Sequence, residues 1–591
     1  MKKFINKPED VERQVVDGYV KSWPALIRKV SDDVVVRTRP KQGKVALVSG
    51  GGMGHEPAHL GYVGEGMLDA AVGGAIYTSP AVDRISAGIE AVAPGASGVL
   101  LVVKNYTGDV INFKLAEQAA REEGVSCDHV VVNDDVAVGS PTERERRRGV
   151  AGTVFVHKCA GAAAEAGKPL AEVKRVAEKV IDNVRTMGVA IAPCTVPAAG
   201  TPGFTLADDE MEMGVGIHGE PGIRREKMEP VDAMVDEILD HVLADIDFAG
   251  HEVAVLVNGA GGTPDYELAL VANHVHDVLA ARTIPVWHTY MGNYLTSLEM
   301  RGFSVSLLRL DDELKSLLAA PANTPAWQQG TTGLAQDTQD TQATNAAEKD
   351  GATAPAANTE TKSAETPSAT SSPTAASVTR AIRAAAAAVE AHKDELTQLD
   401  QPIGDSDHGI NMARGFQAAL ELLPGLEGAS ASDILKKVGS TLVSKVGGSS
   451  GPLYGTLFRK LGAALKGEDE LSVRALSAGL SKAVVGIEEL GGAKPGDKTM
   501  LDAMQPAMEA LEHARAQDEP LTRALADAAQ AAAAGAEATV PLVARKGRAS
   551  YLGERSAGHK DPGAASFALI VQAIADTAAN EGNATSAAKE A

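Results

Sequence analysis

Apolar and polar positions change rhythm once along this chain. Up to about residue 325, short apolar runs rich in β-branched residues (KVALVSG, GVLLVVKNYT, HVVVNDD, EVAVLVNG and TIPVWHTYMG) alternate with Gly-rich turns and amphipathic stretches. Buried strands alternating with helices predict an α/β fold with a largely parallel or mixed sheet, whose ligands gather at the loops that follow strands. GVAIAPCTVPAAGTPG breaks the helical pattern between residues 185 and 200 and divides this body into subdomains of about 1–185 and 186–325. From residue 378 the period becomes helical, as in VTRAIRAAAAAVEAHKDELTQL, ASDILKKVGSTLVSKV and ASFALIVQAIADTAAN, and no strand pattern interrupts it. Residues 378–591 therefore predict an all-α bundle with functional loops at one end.

Between the two bodies, Ala, Thr, Pro, Ser, Gln and Glu dominate and large apolar residues nearly vanish. Such a segment cannot bury enough surface to offset its ordering entropy, so residues 326–377 are expected to form a disordered linker. Its end-to-end span would be roughly 40 Å by flexible-chain scaling, so the bodies are expected to behave as separable, tethered units.

Composition narrows the function. The formal net charge of −22 over 591 residues argues against non-specific nucleic-acid binding, which needs a basic face. Cys127, Cys159 and Cys194 form no CxxC pair, so neither a disulfide framework nor a zinc site is indicated. The N-terminus MKKFINKPEDVE turns acidic before any apolar region, and no run of roughly 20 apolar residues is evident. The expectation is a soluble, cytoplasmic protein without a membrane segment.

The densest chemistry lies in LDQPIGDSDHGIN, Leu399–Asn411, where Asp400, Asp405, Asp407 and His408 crowd around Pro402, Gly404 and Gly409. Crowded carboxylates raise one another's pKa unless a cation neutralises them, and hard oxygen ligands suit Mg²⁺ or Ca²⁺. An EF-hand register starting at Asp405 places Gly409 at the fifth position and Phe416 at the twelfth, so that reading fails. A metal–phosphate site and a solvated acidic turn capping the next helix both remain open. Three more loops carry phosphate-type chemistry. GGSSGPLYG offers backbone N–H groups with Ser449 and Ser450. GGAKPGDKTM nearly spells a Walker A loop, but Asp497 precedes Lys498 and no strand leads into it. RKGRASYLGERSAGHKDPG holds Arg548, Arg555 and His559. Each alone reads equally well as a helix connection.

In the first body, VALVSGGGMGHEP runs from a strand into glycines and His55, VVKNYTGDV puts Lys104 and Asp109 beyond another strand, and MEMGVGIHGEPG supplies His218. Gly214, Gly216 and Gly219 match GxGxxG, but the preceding DDEMEM is acidic rather than a buried strand, a poor dinucleotide fingerprint.

These segments together resemble the single-chain ATP-dependent dihydroxyacetone kinases, in which a DhaK-like domain is fused to a DhaL-like domain. SGGGMGHEP, KNYTGD and GIHGEPG are similar to the kinase-domain signatures, and GDSDHG, GGSSGPLYG, KPGDKTM and GERSAGHKDPGA to the nucleotide-domain ones. Met53 stands where the family often has a smaller residue, which bears on pocket width. The resemblance implies a two-subdomain α/β kinase body, an eight-helix barrel and a homodimer. It also implies phosphorylation of dihydroxyacetone, with glyceraldehyde or related ketoses as further substrates. His218 would capture the substrate carbonyl as a hemiaminal, and His55 would accept the proton with help from Asp109. Gly52, Met53, Gly54 and Lys104 would line the pocket. Asp400, Asp405 and Asp407 would bind two Mg²⁺ ions. ATP would contact His408, Gly409, Ile410, Asn411, Ser449, Ser450, Gly491, Met500, Arg548, Asp561, Pro562 and Gly563. The alternatives it leaves are an erythrulose kinase, an FAD-AMP lyase forming cyclic FMN, and a non-catalytic coregulator.

Overall fold

A computed structural model of the chain describes residues 2–330, 373–404, 406–468 and 470–590. The first sheet runs β1(Ile27–Ser31), β2(Val34–Arg37), β3(Val45–Met53), β4(Ala70–Ile76), β5(Gly98–Lys104) and β6(Cys127–Val132), in the order β1-β2-β4-β3-β5-β6. β4, β3, β5 and β6 are parallel, and the β1–β2 hairpin closes one edge. Alternate residues of these strands enter different cores. Val48, Val72 and Leu101 pack with Ile85 of α2(Val82–Val92) and Phe113 of α3(Thr107–Glu122). Leu47, Leu100 and Val102 pack with α4(Thr153–Glu165) and α5(Leu170–Asn183). Burial on both faces explains why the strands read as continuous apolar runs. In α4 every residue from Thr153 to Ala164 is buried.

The second sheet is mixed, in the order β11-β10-β12-β7-β8-β9. It comprises β7(Val184–Ala192), β8(Glu210–Met213), β9(Arg224–Lys227), β10(Val253–Gly259), β11(Val286–Gly292) and β12(Arg301–Arg309). Only β10 and β11 pair in parallel. α6(Val231–Asp245) and α7(Asp265–Ala281) cover one face, while Ala254, Leu256 and Leu308 on the other share the core that holds α4. The break in the helical pattern opens with a strand, since GVAIA belongs to β7. One reading needs correction: DDEMEM contains β8, whose Met211, Glu212 and Met213 are buried. The acidic residue deceives a pattern reading because buried Glu212 accepts bonds from Gly222 N, Arg225 and Arg555. β8 is antiparallel to both neighbours, so no dinucleotide fold results.

The expected linker of 326–377 lies outside the described residues from 331 to 372, but its flanks are structured. After α8(Asp312–Ala319), β13(Ala322–Asn323) pairs with β14(Gln328–Gln329), and Trp327 is buried with its ring 4.7 Å from that of Tyr290. On the far side α9 spans Pro373–Ala391. Both linker boundaries move inward, because a tryptophan anchor and an alanine-rich turn hold residues that composition alone assigns to a linker.

The second body contains α9, α10(Lys393–Asp400), α11(His408–Leu422), α12(Ala431–Lys445), α13(Ser450–Ala464), α14(Val473–Gly491), α15(Leu501–Ala516), α16(Leu521–Ala538) and α17(Pro562–Glu590). Contacts link α9, α11, α12, α13, α14, α15, α16 and α17 in sequence, and α17 returns to α9, giving a closed ring of eight helices with α10 in a connection. In such a ring every second connection falls at the same end. The loops before α11, α13, α15 and α17 are therefore neighbours, although some 160 residues separate the first from the last. By length and composition the segment Pro562–Asn580 of α17 is apolar enough to cross a membrane. Its Ala564, Phe567 and Ile570 are buried in the helical core.

Among the described residues no hydrophobic core is shared between the two bodies, and they meet through mainly polar contacts. Gly448 N donates to Ser79 O (3.1 Å), Asn112 to Gly448 O (3.1 Å), Lys445 to Asp83 (2.8 Å) and Arg548 to the carbonyl of Tyr77 (2.9 Å). Fragments 1–330 and 373–591 are expected to fold separately and to regain turnover when mixed, with a steep concentration dependence because the tether's effective concentration, about millimolar for a flexible connection, is lost. Circular dichroism and mixing kinetics check this. A first fragment cut at 325 should melt lower, having lost Trp327.

Candidate active site

Two loops after strands, one from each sheet, face one another in the first body. His55 follows β3, and His218 lies between β8 and β9; their ring centroids are 4.9 Å apart. Tyr77 stacks on His55 at 5.2 Å and presents an edge to His218 at 5.1 Å, while Tyr106 meets His218 at 4.7 Å. Close approach here requires glycine. A Cβ on Gly52 would lie 2.4 Å from the carbonyl carbon of Tyr77. Gly54 N is held by the Glu56 carboxylate at 3.1 Å. Met53 contributes backbone, because its side chain lies over Gly73 in the core.

Hydrogen bonds fix both imidazole tautomers. His218 Nδ1 is 2.6 Å from Glu220 Oε1, and the other carboxylate oxygen accepts His218 N at 2.9 Å. A carboxylate only accepts, so Nδ1 carries the proton and Nε2 keeps its lone pair. His55 Nδ1 likewise donates to Thr296 O (2.7 Å), and its buried Nε2 has no partner. Burial holds both rings below the ordinary histidine range; for His55 the His218 and Lys104 charges add to it, while for His218 the Glu220 carboxylate opposes it. Burial alone would raise Glu220, but His218, Arg148 and Arg548 more than offset it and hold the carboxyl low. Lys104, the last residue of β5, and Asp109, in the first turn of α3, are buried nearby with Nζ and Oδ2 3.9 Å apart. Burial lowers the pKa of Lys104, and Asp109 opposes that shift.

At the adjoining end of the helical ring, a cavity is lined by Asp400, Asp407, His408, Asn411, Ser449, Ser450, Gly491, Met500, Arg548, Asp561, Pro562 and Gly563. Thr107 and Ile111 of α3 also reach it. Asp405 lies outside the described residues. Two expected contacts are not brought in. Gly409 packs α11 against α10, where a Cβ would stand 2.0 Å from Lys393 O, and Ile410 faces a smaller neighbouring cleft. Lys498 lines the cavity, but its Nζ donates to the carbonyls of Thr539 (2.7 Å) and Leu542 (3.1 Å), so the ammonium ties two loops together.

The electrostatics favour a cation. Asp400 Oδ2 accepts Asp407 N at 3.0 Å, burial raises the Asp400 pKa, and the neighbouring Asp407 charge raises it further. Mg²⁺ would relieve that crowding, and Asp400 and Asp407 are the described residues suited to hold it. Burial lifts Asp561 to about 7, although its carboxylate accepts Ala564 N at 2.7 Å.

The two sites touch. Thr78 Oγ1 donates to Asp407 Oδ2, one residue from the Tyr77 ring that packs on both histidines. Tyr551 presents its ring to Tyr106 at 6.4 Å and lies under the Arg148 guanidinium, 5.8 Å from its centroid. Sequence reasoning missed Tyr77, Thr78, Tyr106, Arg148, Thr296 and Tyr551. Glu220 had a local signal, standing two residues after His218 in GIHGEPG, as did Tyr106 inside KNYTGD.

Two family models match the chain: the Dak1 domain over residues 17–326 and the DAK2 domain over residues 402–576. The D-erythrulose kinase of Mycolicibacterium smegmatis is 40% identical over 579 residues, 98% of each chain. The triokinase/FMN cyclase of Rattus norvegicus is 37% identical over 587 residues, 97% of this chain and 98% of that one. Among solved structures, the dihydroxyacetone kinase of C. freundii in complex with AMP-PNP and Mg²⁺ is 31% identical, with a TM-score of 0.51 over 98% of this chain and 99% of that chain.

The raised Asp561 carboxyl carries a sign. The folded state binds more protons than the unfolded one between about pH 4 and 7, so this group costs stability as pH rises through that window. Asp561→Asn keeps an oxygen for Ala564 N and removes the charge. It should stabilise the metal-free protein at pH 8, by on the order of 1 kcal/mol, and change little at pH 4. Thermal melts at the two pH values measure the difference.

Proposed function

Because the chain belongs to the kinase family that joins a Dak1 domain to a DAK2 domain in one polypeptide, we propose that it transfers the γ-phosphoryl group of ATP to dihydroxyacetone and to related short ketoses. The observation that carries this reading is the pair of buried imidazoles, His218 pinned at Nδ1 by Glu220 and His55 pinned at Nδ1 by Thr296, beside a carboxylate-lined cavity. Each has its Nε2 lone pair left for chemistry. His218 Nε2 adds to the ketone carbon, forming an N–C bond, and the carbonyl π pair moves onto oxygen, which takes up a proton from water as the ring gives its Nδ1 proton to Glu220 and Glu220 returns that proton to the solvent. A neutral hemiaminal results. Glycerol has no carbonyl and cannot be captured in this way.

His55 Nε2 then accepts the proton of a terminal hydroxyl as its oxygen forms the bond to the γ-phosphorus and the bond to the ADP oxygen breaks. Lys104 and Asp109 orient the adduct. Asp400 and Asp407, with Asp405, would hold two Mg²⁺ ions, which neutralise phosphate charge when bound. Ser449, Ser450, Met500, Arg548 and Gly563 bound the nucleotide, and the Thr78–Asp407 bond keeps the nucleotide loop beside the acceptor. We further assign the protein to the cytoplasm as a homodimer. Three buried free thiols suit a reducing compartment, and the net charge of −22 disfavours nucleic acid.

A coupled ADP-release assay over C3 and C4 carbonyl sugars, glycerol and FAD tests the reading. Turnover is expected with dihydroxyacetone and background with glycerol; equal turnover of glycerol contradicts capture, and cyclic FMN formed without sugar phosphorylation supports the cyclase instead. His218→Ala should lose the discrimination against glycerol while still binding ATP, and a crystal with dihydroxyacetone should show continuous density to Nε2 only in the unaltered chain. Asp400→Ala should lower turnover by about 10²- to 10³-fold, as for loss of a preorganised electrostatic group, with the fold retained.

A further inference from the structure

Behind Lys104 runs a string of buried polar side chains that the proposed reaction does not use. Lys104 Nζ is 2.9 Å from His59 Nε2, and His59 Nδ1 is 3.0 Å from His157 Nε2. All three residues are buried, and His157 Nδ1 has no hydrogen-bond partner.

The charge at one end sets the direction of the whole string. An ammonium only donates, so His59 Nε2 accepts and His59 carries its proton on Nδ1. That proton is donated to His157 Nε2, with Ser49 Oγ as a longer second contact at 3.4 Å. His157 must then carry its own proton on Nδ1, where nothing accepts it. Burial, aided by the Lys104 charge, keeps both rings neutral, with His157 pushed down to about 3. A buried donor without a partner costs free energy, and such costs persist where the rest of the arrangement requires them. The dead end also excludes a proton conduit, since a proton leaving Lys104 along this path has no group to reach.

What the string does is commit the ammonium. Of its three N–H bonds, one goes to Gly50 O at 3.2 Å and one to His59. The Asp109 carboxylate, at 3.9 Å, is too far for a hydrogen bond, and Asp109 Oδ1 is itself without a partner. A Cβ on Gly51 would lie 2.4 Å from Lys104 Nζ and 3.6 Å from Asp109 Oδ2, so both groups crowd the bare face of the glycine strand.

We propose that His59, held in turn by His157, is a positioning residue: it takes one N–H of Lys104 and so aims the remaining N–H at an oxygen of the carbonyl substrate beside Asp109. This rests on the ketose-kinase reading of the same pocket. The chemistry asks for an acceptor atom, not for an imidazole, so a glutamine carbonyl at position 59 should serve and an alanine should not.

The test uses the full chain with His59→Ala, His59→Gln and His157→Met, each checked by circular dichroism and assayed with ATP and dihydroxyacetone. His59→Ala should lower kcat/KM for the ketose by about 10²- to 10³-fold, mainly through its KM, with the KM for ATP unchanged. His59→Gln should recover at least about tenfold of this, and His157→Met should lose about 10- to 100-fold, as second-shell supports do. A folded His59→Ala with kcat/KM within about threefold of the unaltered chain, or a His59→Gln no better than the alanine variant, overturns the proposal. Should His59→Ala fail to fold, His157→Met decides: an unchanged kcat/KM for the ketose overturns it. If the unaltered chain turns over no ketose at all, the functional reading fails instead. The Lys104 Nζ signal in a ¹⁵N-lysine spectrum then judges the pairing, and a signal that His157→Met does not shift overturns it.

Discussion

The structure turns on three residues after β4, Tyr77 to Ser79. Tyr77 adopts a left-handed backbone, φ 64°, which a bulky side chain takes up only where its surroundings hold it. Its ring packs on His55 and His218, its carbonyl receives Arg548, and its hydroxyl meets Cys194 at 3.0 Å. Thr78 bonds Asp407, and Ser79 O receives the amide of Gly448. One short turn therefore places an aromatic wall against the acceptor site and registers two nucleotide loops beside it. Gly52 follows from the same constraint, because no side chain fits between β3 and the Tyr77 backbone.

Electrostatically the two halves are prepared in opposite senses. Around His55 and His218 burial dominates, so both imidazoles are neutral, and the Lys104 ammonium is tied to a carbonyl and a ring nitrogen. At the end of the helical ring Asp400 is buried beside Asp407, and burial with the Asp407 charge outweighs the opposing Arg548 charge, which leaves that loop complementary to a divalent ion. Neutral imidazoles on one side and crowded carboxylates on the other suit the phosphoryl transfer proposed above, which asks mainly for positioning and charge neutralisation.

How far the chain could be read without coordinates depended on the range of each interaction. Strands buried on both faces are continuous apolar runs, so β3, β5, β6 and β10 were legible. β8 was not, because Glu212 is neutralised by Arg225 and by Arg555, more than 300 residues away. The linker edges failed for a related reason: Trp327 is held by Tyr290, a contact that local composition does not register. Gly409, expected at the nucleotide, serves helix packing, and Lys498 closes loops; both sit in phosphate-like motifs, and only distances separate the roles.

By itself the sequence determined what local chemistry can carry: two bodies of different rhythm, the glycine turns, the acidic loop, and His55 and His218 as the histidines set in turns after strands. The tertiary structure alone decided how these are used. It chose the tautomer of each imidazole through Glu220 and Thr296, brought four loops together through the alternation of an eight-helix ring, and placed Asp407 against Thr78. Those facts depend on partners distant along the chain. Composition and period report the free energy of burying a segment, whereas the direction of a hydrogen bond depends on which group closes it.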